Sequence, residues 1–463
     1  MPRPSSPPRT LRVVPSPPAR SPLQRITALA APTTALSMLQ VAAQLVETVL
    51  AARQGTAALA GWAVLLPFAL LLAQMSTGAM GGGVVSAVAR ALGAQRRDEA
   101  SALVLHAMLI ATTFGLVFAV GVSLAAAPLL QAVAGPEAAQ AAAPYAWWLF
   151  GAGAVPAWWA NTLASVLRGG GQHALAARIL ALQWLALPLL AWLFAEPLGL
   201  GLTGVGAAFA LSNAVAAAAM LRVVRLGQAG FVPSWRAPPQ WLLFVRILQV
   251  GAVASGLALM SNLSTVIVTT QLRHLGPTAV AAYGIAARLE FLIIPLAWGV
   301  GSALTALVGR TVGAGDWPLA RRTAWLGGKM AFGATALIGL AVGAMPLAFA
   351  QLFTPDPVVS QLAAQALRYT GPSFGFFGLG MAMYFASMGA QRMATPVVAG
   401  CARLLIATGG GWLLAHGLWG LGGWAGMGTE GHFLGVALGL VAYGLITASG
   451  VRPGLWRARP APA

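Results

Sequence analysis

The sequence predicts an all-α membrane protein in which 12 transmembrane helices form two parallel-repeat six-helix lobes around a central cavity. Composition, the spacing of long apolar segments and an internal repeat support this fold class. Of the 463 residues, 58% are hydrophobic and 8% are charged, and the mean hydropathy is +0.79. Soluble domains carry about 25% charged residues, so a soluble fold of this length could not cover its surface with so few charges.

Long apolar segments alternate with short breaks along most of the chain. A helix needs about 20 apolar residues to cross a bilayer, and the spacing of the breaks predicts twelve such helices. Their predicted ranges are 27–52, 57–88, 101–127, 142–166, 176–195, 202–221, 245–271, 278–308, 323–350, 365–388, 396–418 and 432–449.

The two ends of the chain depart from this pattern. Residues 1–22 are rich in Pro, Ser and Arg and have no continuous apolar core, which predicts a disordered cytosolic tail more than a targeting peptide. We assign residues 23–230 to an N-terminal lobe and residues 231–451 to a C-terminal lobe. Residues 452–463 form a second predicted cytosolic tail.

Basic residues predict the orientation in the membrane. With the N-terminus inside, 23 of the 27 basic residues fall on the inner side, including Arg403. The remaining four are Arg53, Arg273, Arg288 and Arg368. Because basic residues accumulate on the cytosolic side, both termini are predicted to be cytosolic, in a bacterial inner membrane. The net charge of +18 then indicates contact with membrane lipids and not with nucleic acid.

Several classes of function lack the residues that they need. A single cysteine, Cys401, excludes an intrachain disulfide. The five histidines have no metal-ligand spacing, and no nucleophile–base set or phosphate loop is present. The sequence therefore predicts no enzyme, no metal and no cofactor, and we expect a monomer.

An internal repeat relates the two halves. The stretch "RALGAQRRDEA" from Arg90 matches "RTVGAGDWPLA" from Arg310, and "RGGGQ" from Arg168 matches "MGAQR" from Met388, both at an offset of 220 residues. "GTAALAGW" at 55–62 matches "GPTAVAAY" at 276–283 with an offset of 221. This offset spans an even number of predicted helices, so the halves share one orientation, as in transporters that bind substrate between repeats.

Several segments resemble the multidrug and toxic compound extrusion (MATE) family of antiporters. They are "LVETVLAARQGTAALAGWAV", "GGGVVSAVARALGAQRRDEA", "LGPTAVAAYGIAARLEFLIIPLAWGVGSALTALVGRTVGAG" and "LRYTGPSFGFFGLGMAMYFASMGA". The resemblance implies two six-helix lobes around a central cavity. It also implies export of small organic compounds, often cationic, against a proton or sodium gradient.

The resemblance implies which positions of this chain correspond to the coupling residues of the family. Glu47 in "VET" stands where the first helix of the family typically carries an aspartate. In the fifth helix, Gln183 and Leu187 replace an asparagine and an aspartate. Positions that are acidic in some members fall near Ser261 and Phe377. The resemblance therefore implies one occupied carboxylate position.

Glu47 lies inside an apolar run. Gln40, Gln44 and Glu47 are spaced i, i+4 and i+7, so they share one helix face, which should point into the bundle. A charged group at the helix centre costs up to about 3 kcal/mol, and the protonated acid costs less. We interpret Glu47, with Gln44 and Gln183, as a cation-coupling site. A structural hydrogen bond to Gln44 or to a neighbouring helix is the alternative.

Other polar residues are weaker candidates. Arg288 and Glu290 form a candidate second polar site, although two residues two apart do not share a helix face. Arg288 is expected to pair with an acid or to line an outer vestibule. Candidate cavity-lining residues share a polar side chain inside an apolar run. They are Asn161, Asn213, Asn262, Tyr283 and Tyr384.

The favoured function is export of cationic or amphiphilic, drug-like compounds from the cytosol by antiport with protons. Sodium is disfavoured because Na⁺ needs several oxygen ligands and Leu187 removes a carboxylate. A flippase for a lipid-linked precursor would need several cavity cations, and Arg288 and Arg368 are the candidates. A non-transporting membrane scaffold is the third hypothesis, because the other acidic positions are empty.

Overall fold

The computed structural model describes residues 21–236, 238–417 and 426–457. Within these ranges the secondary structure is helical and contains no strand. Residues 1–20 of the predicted N-terminal tail and 458–463 of the predicted C-terminal tail lie outside the described residues.

The helices follow the predicted segments in order, and most extend beyond the predicted ends. They are α1 (Pro22–Arg53), α2 (Thr56–Gly93), α3 (Arg97–Ala134), α4 (the two pieces Pro136–Ala146 and Ala154–Gly169), α5 (His173–Ala195), α6 (Gly201–Arg225), α7 (Trp241–Arg273), α8 (Pro277–Gly313), α9 (Trp317–Ala344), α10 (Pro357–Ala390), α11 (Ala394–His416) and α12 (Thr429–Ser449). A short helix, Pro346–Gln351, links α9 to α10. Extension occurs because polar residues continue a helix beyond the apolar core that the sequence pattern detects.

In the described part of the chain, 11 helices are long and apolar enough to cross a membrane. The predicted helix at 142–166 differs, because a π-helical turn, Trp147–Ala152, and Gly153 divide α4. A Cβ atom on Gly153 would lie 2.5 Å from the carbonyl oxygen of Leu149 and 2.8 Å from Cδ1 of Phe209 in α6, so glycine is the residue that fits there. The two pieces of α4 together complete the twelve-helix fold.

The repeat is visible in the turns between helices. Gly55 connects α1 to α2 with φ of 102°, and Gly276 connects α7 to α8 with φ of 106°. Side chains other than glycine rarely adopt this backbone conformation. The match at an offset of 221 therefore reflects the same turn in both halves.

Each half of the molecule has its own large hydrophobic core. One extends from Leu36 to Ile247 and the other from Val268 to Tyr443. The first turns of α7, with Leu243 and Ile247, pack in the N-terminal core. A smaller cluster joins Ile26 to Val451 and Trp456, which places the start of α1 and the residues after α12 at one face. We call this face the termini face.

Helix α1 packs against both lobes. Near its start, Ile26 lies in a cluster with Leu304 of α8, and Thr34 contacts the α8 backbone at Gly299. Near its end, Leu50 and Ala51 lie in the core of the N-terminal lobe. Pro32 lies inside the helix, before the residues at which α1 passes from the C-terminal lobe to the N-terminal lobe.

At the termini face the lobes meet through a reciprocal contact between α2 and α8. Gly93 of α2 faces the backbone carbonyl of Arg310, and Gly313 of α8 faces the backbone carbonyl of Arg90. A Cβ atom on either glycine would collide with the carbonyl oxygen. We call these four residues the lobe seal.

The arginine side chains of the seal also form reciprocal contacts, because each donates a hydrogen bond to a backbone carbonyl of the other lobe. Arg90 Nη1 donates a hydrogen bond to the carbonyl of Gly389 in the other lobe at 3.2 Å. Arg310 Nη2 donates to the carbonyl of Gly170 at 3.1 Å. Ser86 Oγ, which also contacts Arg90, donates to the carbonyl of Met388 at 2.5 Å. The repeated sequence motifs therefore form the contact between the lobes.

Candidate functional site

A cavity of about 470 Å³ lies between the lobes. Among the described helices, all except α3 and α9 contribute to its wall. On α2 the cavity wall ends at Ala79, and Arg90 of the seal lies 11 residues farther along the helix. At a rise of about 1.5 Å per residue this is about 16 Å. The lobe seal therefore separates the cavity from the termini face.

The polar stripe of α1 forms part of the N-terminal wall. Gln40, Gln44 and Glu47 line the cavity, whereas Leu45 and Val49 are 64% and 58% exposed on the outside of the bundle. The predicted orientation of this stripe is confirmed. Within the described ranges Glu47 makes no ion pair and accepts no hydrogen bond from a side chain, so the structural hydrogen bond that we considered is not formed there.

Amide side chains continue the N-terminal wall, and hydrogen bonds between helices hold them. Gln183 Nε2 of α5 donates to Asn213 Oδ1 of α6 at 2.9 Å, and Asn213 Nδ2 donates to the carbonyl of Phe209 at 2.9 Å. Asn161 Nδ2 of α4 donates to Ser76 Oγ of α2 at 2.9 Å. Gln183 and Glu47 line the same cavity without a direct hydrogen bond between them.

The C-terminal wall instead carries an arginine whose ion-pair partner lies outside the set of lining residues. Arg403 Nη2 of α11 lies 2.6 Å from Glu290 Oε1 of α8, and the two side chains are 13% and 17% exposed. The guanidinium carbon lies 5.2 Å from the ring centre of Phe377 and 5.9 Å from that of Tyr443. The prediction that Arg403 lies on the cytosolic side is wrong, because this residue lines the cavity from inside α11.

Arg403 is the charged lining residue that sequence reasoning missed. It is one arginine within the apolar run of α11, and the count of basic residues assigned it to the nearest loop. A charge inside a spanning helix usually pairs with another buried group, and Glu290 was the one acid besides Glu47 inside a predicted helix. That mismatch was the available signal.

The predicted pairing of Arg288 with Glu290 in one site is wrong. Arg288 is exposed, makes no salt bridge to any described residue and does not line the cavity. Residues two apart on a helix point about 200° apart, so Glu290 turns inward when Arg288 turns outward. Tyr283 also lies off the cavity wall, because its face of α8 packs into the C-terminal core, where it is 6% exposed.

The other predicted lining residues lie on the cavity wall. They are Asn161, Asn213, Asn262 and Tyr384. Ser261 and Phe377, which the family resemblance indicated, also line it. Rings of Trp298 and Tyr384 pack edge to face on Phe385, each with ring centres 5.0 Å apart. The wall thus combines aromatic surface with a few fixed polar groups, which is typical of small-molecule sites.

No cluster of three or more His, Cys, Asp or Glu side chains that could hold a metal occurs in the described ranges. The polar groups that line the cavity include amides, tyrosines and two separated charged side chains, Glu47 and Arg403. This set can bind an organic compound and exchange a proton.

The family model for MatE matches residues 32–193 and 255–413. The two matched segments fall in the two halves of the chain, and together they cover more than half of it. The repeat that the sequence predicted is therefore also present in the family match.

Curated relatives match over shorter segments. A "Probable multidrug resistance protein NorM" from Brucella suis is 27% identical over 215 residues, which are 44% of this chain and 43% of that protein. The protein of the same name from Rhodopseudomonas palustris is 30% identical over 206 residues, 43% of this chain and 42% of its own. An "FAD transporter" from Shewanella oneidensis is 26% identical over 173 residues, 37% of each chain. The matches thus span less than half the length of these relatives.

Solved structures match over nearly the whole chain. A MATE protein in the straight conformation has a TM-score of 0.84 and 22% identity, covering 94% of this chain and 96% of its own. The Vibrio cholerae MATE transporter VcmN in the bent form has a TM-score of 0.85 and 22% identity, covering 94% and 99%. A MOP superfamily transporter from Pyrococcus furiosus, whose description mentions a binding pocket of reverse polarity, has a TM-score of 0.84 and 21% identity, covering 94% and 96%. At these identities the match shows the fold.

Proposed function

Because the chain belongs to the MatE family, we propose that it exports small organic compounds from the cytosol by antiport with protons. One observation carries this proposal. Glu47, a carboxyl group without an ion-pair partner among the described residues, lines a cavity that the lobe seal closes at one face. Relatives whose names describe multidrug resistance support the drug-like substrate class.

The transport cycle follows from the placement of Glu47. With the termini cytosolic, as the basic residues predict, the seal closes the cytosolic side of the cavity. A proton arriving from outside neutralises Glu47 and removes its attraction for a cationic substrate. Coupling then requires proton and substrate to compete or to favour different arrangements of the lobes. Opening of the seal would present the protonated cavity to the cytosol, where proton loss favours substrate binding.

Protons fit the site better than sodium. Na⁺ needs several oxygen ligands, and a second carboxylate is missing because Leu187 fills the next turn after Gln183. The Gln183 amide is already committed to Asn213. Proton transfer needs only the Glu47 carboxyl group.

A lipid-linked precursor flippase is less well supported. Such a cavity should present several cations to a polyanionic headgroup, and Arg403 is the one arginine among the described lining residues. Arg403 is paired with Glu290. Arg288 and Arg368, which sequence reasoning considered for this role, are exposed outside the cavity.

Gradient-driven transport in proteoliposomes tests the proposal. Rhodamine 123, an aromatic cation, is expected to move across the membrane under an imposed pH gradient. Glu47→Gln should abolish this transport, because glutamine cannot bind and release a proton, and Glu47→Asp should retain part of it. Glu137→Gln changes an exposed acid at the start of α4 and serves as the matched control.

Undiminished pH-driven transport by Glu47→Gln would contradict the coupling role. Transport that follows a sodium gradient at constant pH would favour the sodium-coupled alternative. Absence of transport by the wild type under both gradients would favour the scaffold hypothesis.

A further inference from the structure

Arg403 is a charged group deep inside a spanning helix. It lies nine residues after the first residue of α11, or about 14 Å along the helix. Charged side chains at such depth are costly and usually have a function. The proton-coupling role of Glu47 does not involve Arg403, because the two residues lie on opposite lobes.

The ion pair leaves most of the guanidinium group unused. Arginine has five N–H donors, and among the described residues Arg403 makes one hydrogen bond, from Nη2 to Glu290 Oε1. A bidentate carboxylate partner would use two parallel donors. The other donors of Arg403 therefore remain available to a ligand, since the residue lines the cavity.

Aromatic rings fix the guanidinium group and extend the binding surface. Phe377 of α10 and Tyr443 of α12 lie within cation–π distance of Arg403, and both line the cavity. Such contacts hold a guanidinium plane in one orientation. Together the three side chains present a cation beside an aromatic surface, a combination that suits a flat ring system with an acidic substituent.

We propose that Arg403 is a specificity-determining residue that binds an anionic group, such as a carboxylate, on an aromatic substrate. Glu290 competes for the same guanidinium group and lowers its affinity for the substrate anion. The proposal rests on the proposed transport function, of which it specifies the substrate class. It adds acidic aromatic compounds to the cations that Glu47 would attract on the opposite wall.

Equilibrium binding of two matched dyes tests the proposal. Rhodamine 110 carries a free carboxylate, and rhodamine 123 is its methyl ester, so the pair differs in one anionic group. Binding to the purified full-length protein in phosphatidylcholine nanodiscs requires no gradient. Failure of the coupling proposal would therefore leave this measurement intact.

Arg403→Gln should weaken rhodamine 110 binding about ten-fold or more, since hydrogen bonds to charged groups contribute about 1.5–3 kcal/mol. The same variant should not weaken rhodamine 123 binding, because this cationic ester lacks the anionic group and the unpaired Glu290 carboxylate attracts a cation. Arg403→Lys should retain part of the preference, because it keeps the charge but loses the planar donors. Glu290→Gln should act in the opposite direction and strengthen rhodamine 110 binding.

The double variant Arg403→Gln with Glu290→Gln separates recognition from folding, because it leaves no unpaired charge. It should fold and lose the preference for the carboxylate dye. Equal effects of Arg403→Gln and Glu290→Gln on both dyes would show a purely structural ion pair and overturn the proposal. Equal rhodamine 110 affinity of wild type and Arg403→Gln in phosphatidylcholine, together with a rise in unfolding temperature on addition of phosphatidylglycerol in wild type alone, would assign Arg403 to a lipid headgroup and also overturn it.

Discussion

The lobe seal and the cavity belong to the same interface, yet they treat the internal repeat in opposite ways. At the seal, Gly93 and Gly313 occupy equivalent positions and make equivalent contacts. In the cavity, Arg403 lies 220 residues after Gln183, which is the offset of the repeat, so the two residues occupy equivalent positions. The C-terminal lobe therefore has a guanidinium group where the N-terminal lobe has an amide. The repeat is kept where the lobes touch each other at the seal and lost where they face the cavity.

This difference has a physical basis. At the seal, a glycine of each lobe packs directly against a backbone carbonyl of the other lobe. A larger side chain at either glycine would therefore disturb the contact. The cavity walls are separated by space, so the side chains of one half can change without a clash in the other. Symmetric packing closes the interface, and asymmetric side chains can select what enters it.

Substitution of the seal glycines is expected to have the largest effect on the balance between the closed and open states of the lobe interface. Gly93→Val and Gly313→Val place a side chain against a backbone carbonyl that cannot move aside. Overpacking costs about 1–3 kcal/mol, so the closed state should lose population about 5- to 160-fold. Labelling of an Ala89→Cys reporter, buried in wild type, with an impermeant maleimide in a Cys401→Ser background would measure it.

Gly333→Val is the matched control for the seal, because a Cβ atom at this helical glycine meets no atom within 4 Å. It should leave the labelling rate unchanged. A large effect at Gly93 combined with none at Gly313 would contradict the symmetric contact.

Arg403 and Gln183, the equivalent cavity residues, should respond differently to leucine. Arg403→Leu leaves Glu290 half-buried without its partner, and breaking a buried ion pair costs about 3–5 kcal/mol. Gln183→Leu leaves the Asn213 oxygen without its donor, at about 1–3 kcal/mol. Thermal unfolding in detergent should rank the two variants in that order.

A paired substitution checks the reason for that ranking. Arg403→Leu combined with Glu290→Leu should recover most of the lost stability, because no isolated charge remains. Equal destabilisation by the single and double variants would show that packing, and not charge, determines the cost.

The smallest expected effect has the opposite sign. Glu47→Leu removes a carboxyl group that has no ion-pair partner in the described part of the chain, so it should raise stability by about 1 kcal/mol, within the cost of burying an acid in a membrane. The same variant should lose pH-driven transport. Lower thermal stability of Glu47→Leu would reveal a stabilising contact and favour a structural role for this acid.

The sequence predicted the helices and the orientation of the α1 stripe because both depend on local periodicity. Apolar length determines whether a segment can span a membrane, and a spacing of i, i+4 and i+7 places Gln40, Gln44 and Glu47 on one face. The repeat predicted two similar halves, and the structure shows its motifs in contact at the seal. These features needed no knowledge of distant contacts.

The ion pair could not be predicted in the same way. Arg403 and Glu290 lie 113 residues apart, and nothing local indicates that α8 and α11 bring them together. Arg288 drew attention because it is adjacent in sequence, although helix geometry turns it outward. The division of α4 also escaped the sequence pattern, because a π-helical turn at Trp147–Ala152 leaves the segment as apolar as a continuous helix would be.

Helix α1 crosses the interface between the two lobes. Its first turns are fastened to the C-terminal lobe and its last turns to the N-terminal lobe. A rotation of one lobe against the other would therefore bend α1. Pro32 lies inside this helix and cannot donate a backbone hydrogen bond, so we expect the bend to occur there. Glu47 lies on the C-terminal side of Pro32, so a change in its charge would act on a helix that packs against both lobes.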